Sequence, residues 1–125
     1  MEKPKIKYDE ISDTLSVVFE SGVPSVGIEL TNNILLRMNP KTREAASLEL
    51  FEYSILAQST DVGTRSFPLI GLTTLSENLK ENILRILHNQ PVCDFLQLSA
   101  YTPSLTETIP IILIKPIAIQ IASAA

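Results

Sequence analysis

Five short apolar alternations crowd into the first 53 residues of this chain, and the gaps between them are too short to hold crossover helices. The clearest run covers residues 14–19, where Leu15, Val17 and Phe19 alternate with Ser16 and Val18. A period of two puts three apolar side chains on one face of a pleated strand. Similar runs cover residues 5–8, 25–30, 34–38 and 45–53, with Val26, Ile28 and Leu30 sharing a face in the third. Turn chemistry separates them: an acidic stretch at 10–13, then Ser21-Gly22-Val23-Pro24, Asn32-Asn33, and Asn39-Pro40-Lys41-Thr42-Arg43. Gly and Asn tolerate the left-handed backbone that tight turns demand, and Pro interrupts ladder pairing. Strands joined this closely predict an antiparallel meander.

The second half carries the helical signal. Thr74-Leu75-Ser76-Glu77 has the form of a capping box, with Thr74 as the expected cap and Glu77 three residues on. Leu75, Leu79, Ile83, Ile86 and Leu87 then line one stripe of a helix of about fourteen residues, closed by Pro91. Leu79 and Ile83 sit at the centre of that stripe and are expected in the core. Residues 54–60 suggest a short helical turn, 67–71 an ordered loop, 94–101 a strand and 102–108 a polar loop. The expectation is one α+β domain over residues 1–125: an antiparallel meander sheet, one main amphipathic helix packed on it, and a C-terminal strand segment. At 125 residues, 45% of them hydrophobic, the chain is long enough for a single core without disulfides.

Charge excludes some functions. The net charge is −4, residues 1–62 hold ten acids against six bases, and residues 63–125 hold four of each. No basic stripe exists for a phosphate backbone, so this chain alone is not expected to bind nucleic acid. The single cysteine, Cys93, fits a reducing cytoplasm. Met-Glu-Lys-Pro-Lys at the start lacks the apolar core of a signal peptide.

The ordered pattern Ile6-Lys7-Tyr8-Asp9, Asp13-x-Leu15-x-Val17-x-Phe19 and a later hairpin closing on Leu48-Glu49-Leu50-Phe51 resembles the small prokaryotic domain of unknown function family 2283. The resemblance covers about residues 3–59 and implies a small sheet domain. It carries no activity to transfer. Some members look like partners in two-gene modules resembling toxin–antitoxin pairs, which implies at most a binding role. The turn at Asn39-Pro40-Lys41-Thr42 is less acidic than the family's version, and the region after residue 60 has no counterpart there.

No residue set argues for catalysis. Asp9, Glu10 and Asp13 could ligate a hard cation, but they lack the glycine and terminal glutamate of a calcium loop. Their expected role is local, accepting backbone N–H bonds of the first hairpin. His88, Cys93 and Asp94 lie close in sequence, yet one His and one Cys fall short of a zinc set. His88 is expected to complement the end of the helix, and Cys93 to pack as a small hydrophobe. The four glycines are scattered, so no phosphate cradle and no cofactor is expected.

One segment strains a purely structural reading. Residues 109–121 hold eight isoleucines or leucines and one charge. Two prolines and a lysine make it too short and too interrupted to cross a bilayer. Burying each Ile is worth roughly 1.5 to 3 kcal/mol, so something must cover it. Pro110 and Pro116 suggest an edge strand, and an apolar edge is a template for another chain. The expectation is an interaction surface at Ile111, Leu113, Ile117, Ile119 and Ile121, used in a homodimer or toward a partner protein. The alternative is a small-molecule site or enzyme assembled only in three dimensions.

Overall fold

The computed structural model describes residues 3–115. Strands β1 (Lys5–Asp9), β2 (Thr14–Val18), β3 (Val26–Thr31), β4 (Ile34–Met38) and β5 (Ala45–Phe51) form a five-stranded antiparallel sheet. A single turn of helix, α1 (Tyr53–Leu56), leads into the small hairpin β6 (Ser59–Thr60) and β7 (Gly63–Thr64). Then follow β8 (Phe67–Pro68), a 3-10 turn at Ile70–Leu72, the main helix α2 (Glu77–His88), a second 3-10 turn at Val92–Asp94, and the long hairpin β9 (Leu96–Ser104) and β10 (Glu107–Ile114). The fold class is α+β, as the sequence predicts.

The strand order corrects the simple meander. It runs β1-β2-β5-β4-β3, so β2 pairs with β5 rather than with β3. This is the order of a Greek key, in which three hairpin-linked strands return to lie beside an earlier one. The reason lies in the link across residues 19–25. Gly22, at φ 73, and Pro24 sit in a connection too long for a tight hairpin. Meanwhile β2 finds an apolar match in β5: Leu15 faces Leu50, and Val17 faces Leu48. The pairing runs on past the strand, because the Phe19 and Glu20 amides both donate to the Ala46 carbonyl.

One face of this sheet is apolar, and the other is not. Leu15, Val17, Ile34, Leu36, Met38, Leu48 and Leu50 are buried, while alternate residues such as Ser16, Arg37 and Glu49 are partly exposed. The buried face joins Ile83, Ile86 and Leu87 of α2 and Leu96, Ile112 and Ile114 of the second sheet in one hydrophobic cluster.

The helix starts two residues later than the capping box suggests. Ser76, not Thr74, is the cap: its backbone is extended and its Oγ accepts the Leu79 amide at 3.2 Å. Thr74 is unsuited because the chain just before it is still turning. The Leu75 amide bonds the Leu72 carbonyl, and the Thr73 hydroxyl bonds Ile70. Leu79, in the first turn, is only half-buried, whereas Ile83, one turn further on, is fully buried.

Both edges of the five-stranded sheet are protected. On β1, Lys5 and Lys7 are exposed. At β3, the 3-10 turn presses in so closely that a Cβ on Gly71 would stand 1.6 Å from the Glu29 carbonyl oxygen. Lysines and covering turns are two ways of blunting an edge.

Two stability predictions follow from this packing. Ile83→Ala should cost about 2 to 5 kcal/mol, and Leu79→Ala distinctly less, because only the first opens a closed cavity. Gly71→Ala should cost at least about 1 to 3 kcal/mol, because the clash is with backbone that cannot rotate away. Urea midpoints of the three variants check both; equal costs at residues 79 and 83, or a neutral Gly71→Ala, would contradict the packing described.

Candidate functional site

Hairpin β9–β10 divides into two halves. Its base belongs to the core: Leu96, Ile112 and Ile114 are buried. Its outer half projects into solvent. Every residue from Ser99 to Thr108 is exposed, including Tyr101 at 56% and Leu105, at the tip, fully. Cross-strand partners define the outward face as Gln97 with Leu113, Ser99 with Ile111, and Tyr101 with Ile109.

Two of the five expected surface residues fall on that face. Ile111 and Leu113 are half-buried, and they alternate with Ile112 and Ile114, which point into the core. Ile117, Ile119 and Ile121 lie outside the described residues. The expected edge position of this segment needs correction. β10 lies between β8 and β9, with Ile111 opposite Pro68 and Ile112 opposite Phe67. The edge strand is β9. Pro110 is accommodated because it stands opposite Ala100, and its carbonyl turns toward β8 to accept the Leu69 amide at 3.1 Å. The strand expected at 94–101 runs instead from Leu96 to Ser104: Asp94 lies in the second 3-10 turn, and the expected polar loop at 102–108 gives up Thr102 to Ser104 to β9.

A second constellation surrounds Asp13. Its carboxylate accepts the Tyr8 hydroxyl at 2.6 Å, the Ser54 hydroxyl at 2.6 Å and the Ser54 amide at 3.1 Å. The Asp13 carbonyl accepts the Tyr53 amide at 2.9 Å. Asp13 and Glu52 both adopt left-handed backbone, at φ 51 and 55, so each end of this clasp is sharply turned. The Ser54 hydroxyl foremost, then the Tyr8 hydroxyl and the Ser54 amide, hold the Asp13 carboxyl below the usual carboxylate range. The bond to Asp13 in turn raises the Tyr8 phenol, with burial and the acidic turn adding to it. Beside them the Tyr53 ring lies 6.0 Å from that of Tyr8. Burial pushes the Tyr53 phenol up to about 12, and its hydroxyl has no hydrogen-bond partner among the described residues.

This corrects the local role expected of the acidic turn. Asp9 is local: its Oδ1 accepts the Ile11 amide at 3.0 Å. Asp13 instead reaches across forty-one positions to Ser54. No periodicity in the sequence points to Ser54, because the pairing follows from where β5 ends. Tyr8 and Asp13, five positions apart across the first hairpin turn, meet directly.

The remaining candidates do not assemble. His88 is exposed at the end of α2, and Cys93 is half-buried in the turn that follows. Among the described residues, no three His, Cys, Asp or Glu side chains could hold a metal ion together. A cleft of about 350 Å³ lies between Phe19, Ala45 and Ile86, rimmed by Glu20, Glu44 and Asn89. Its one cation, Arg85, already donates to the Arg43 carbonyl at 2.8 Å. No helix of the described residues is long and apolar enough to cross a membrane. Compared with known proteins, the chain matches no family model, no curated protein and no solved structure.

The clasp generates a pH prediction. A carboxyl whose folded pKa is depressed stabilises the fold fully above its unfolded value, and that contribution is lost as pH falls through the folded value. The loss should therefore begin near pH 4, about the unfolded value, and deepen below it. Asp13→Asn should be less stable than wild type at pH 7, and the gap should close in acid. Urea midpoints of both proteins across the acid range check this; a gap independent of pH would show that the charge contributes nothing.

Proposed function

We propose that this protein is a non-catalytic interaction module, associating with itself or with a partner protein through hairpin β9–β10. The observation that carries the reading is the outer half of that hairpin: ten consecutive exposed residues with Tyr101 and Leu105 held out on a ladder rooted in the core. Aromatic and aliphatic side chains on a rigid support are what interfaces use as anchors. The connection itself is only Leu105 and Thr106, a length typical of hairpins, so the other eight exposed residues are strand carried beyond the core. The half-buried Ile111 and Leu113 extend the same face toward the body. Within this reading the protein belongs to a prokaryotic cytoplasm, where a lone thiol stays reduced, and the likeness of residues 3–59 to domain family 2283 fits a binding role.

The second reading, a small-molecule site, is favoured by the cleft beside Phe19 and Ile86. Its polar rim is sparse, and its arginine is engaged by backbone. Ligand sites combine an apolar lining with a few convergent polar groups, and here the convergence is weak.

A photo-crosslinking side chain placed at Leu105 in the native host separates the two. Covalent adducts should form at Leu105 and not at Ile11, which is equally exposed on the first hairpin turn. Absence of adducts at Leu105, together with a metabolite that raises the melting temperature and loses its effect on substitution of Glu20 and Asn89, would favour the cleft instead.

A further inference from the structure

We infer that β9 is the contact edge, and that its occupant is the β9 strand of a second copy of this chain, paired antiparallel about a two-fold axis. This deepens the proposed interaction role and rests on it.

The argument starts from the ladder. In an antiparallel pair, hydrogen-bonded and non-bonded residue pairs alternate. The Lys115 amide donates to the Phe95 carbonyl at 2.9 Å, which sets the phase. Gln97, Ser99 and Tyr101 therefore bond to β10, while Leu98 and Ala100 turn their N–H and C=O groups to the opposite side. Pro110, without an N–H, stands opposite Ala100, as this phase requires. β9 is the last strand of its sheet, and among the described residues nothing pairs with its outer side.

The choice of occupant follows from charge. The nine residues Leu96–Ser104 include no ionisable carboxylate, amine or guanidinium. The edge of β1, by contrast, exposes Lys5 and Lys7, which would repel their own copies. A neutral edge pairs with itself without that penalty, whereas an acidic or basic partner strand would gain no ion pair here. Antiparallel pairing of identical strands is also isologous: each strand offers the other the same groups, as two-fold symmetry demands. The two outward faces then merge side by side. Tyr101, Ile109 and Ile111 of each copy fall on the same side of a six-stranded sheet.

Two substitutions test this by sedimentation across a concentration series, with circular dichroism and melting temperature as fold controls. Ala100→Pro removes an outward N–H that the β10 ladder does not use, a place where an edge strand tolerates proline. Ser99→Lys leaves every backbone group intact and puts a charge on the neutral edge. Wild type should dimerise, and each variant should dimerise at least tenfold more weakly with its fold unchanged. If Ala100→Pro disturbs the fold, Ser99→Lys decides. A wild-type dimer that both folded variants leave unweakened overturns the β9 assignment, while self-association as a function survives. A wild type that stays monomeric, or that forms open-ended aggregates, overturns the second copy as occupant; crosslinking at Leu105 then judges the interaction role separately.

Discussion

The pairing of β2 with β5 is the constraint on which the rest of the molecule depends. It joins two pieces that would be marginal alone: the hairpin β1–β2 and the three-stranded unit β3–β4–β5. Leu15, Val17, Leu48 and Leu50 meet across it, each almost fully buried. Its register also decides where α1 begins. Thr14 stands opposite Phe51, so a chain leaving β5 passes directly beside the residue that precedes Thr14. That residue is Asp13, and the passing segment carries Ser54. The carboxylate clasp is thus a consequence of strand register, and it locks the register in return.

The edges of the two sheets are treated differently, and the difference is informative. Lysines guard β1, and the 3-10 turn built around Gly71 closes on β3. Each device costs something: solvated charge gives up burial, and the close approach admits no side chain at residue 71. Among the described residues the outer side of β9 carries neither a lysine nor a covering turn, and its one proline, Pro103, stands near the far end beyond Leu98 and Ala100. Edge strands left bare are either liabilities or contact sites, and a chain that guards two of its edges has the means to guard a third. This contrast, more than any single residue, turns attention from the isoleucine-rich segment to the strand beside it.

Much of the fold is legible in the sequence, because alternation is a local signal. Residues 34–38 match β4 end to end, and the other four N-terminal runs overlap their strands within two residues at each end. What local pattern cannot carry is partner choice. Leu15 and Val17 announce a buried face, but nothing in them distinguishes β3 from β5 as a neighbour. The helix cap fails for a similar reason: Thr74 and Ser76 both satisfy the chemistry, and the 3-10 turn upstream chooses between them. The apolar run holding Ile111 and Leu113 was legible as a strand, and the structure leaves both half-buried on the outward face. That the strand beside it carries the open edge was not legible, since Leu96–Ser104 is unremarkable in composition and becomes exposed only because β10 pairs on its other side with β8.

The shortness of β8 and the guarding of β1 and β3 bear on stoichiometry. A monomer with two reactive ends polymerises; one with a single reactive end terminates. β8 covers only two residues of β10, and the stretches of β10 on either side of it are brief and interrupted by Pro110. A second pairing site of useful length is therefore missing from that flank of the described sheet. On the proposed pairing, contact along β9 would consume the long neutral edge of the described second sheet, and growth would stop after one step. A chain paired in that way would be its own chain stopper, so raising its concentration would saturate the pair instead of feeding a fibre.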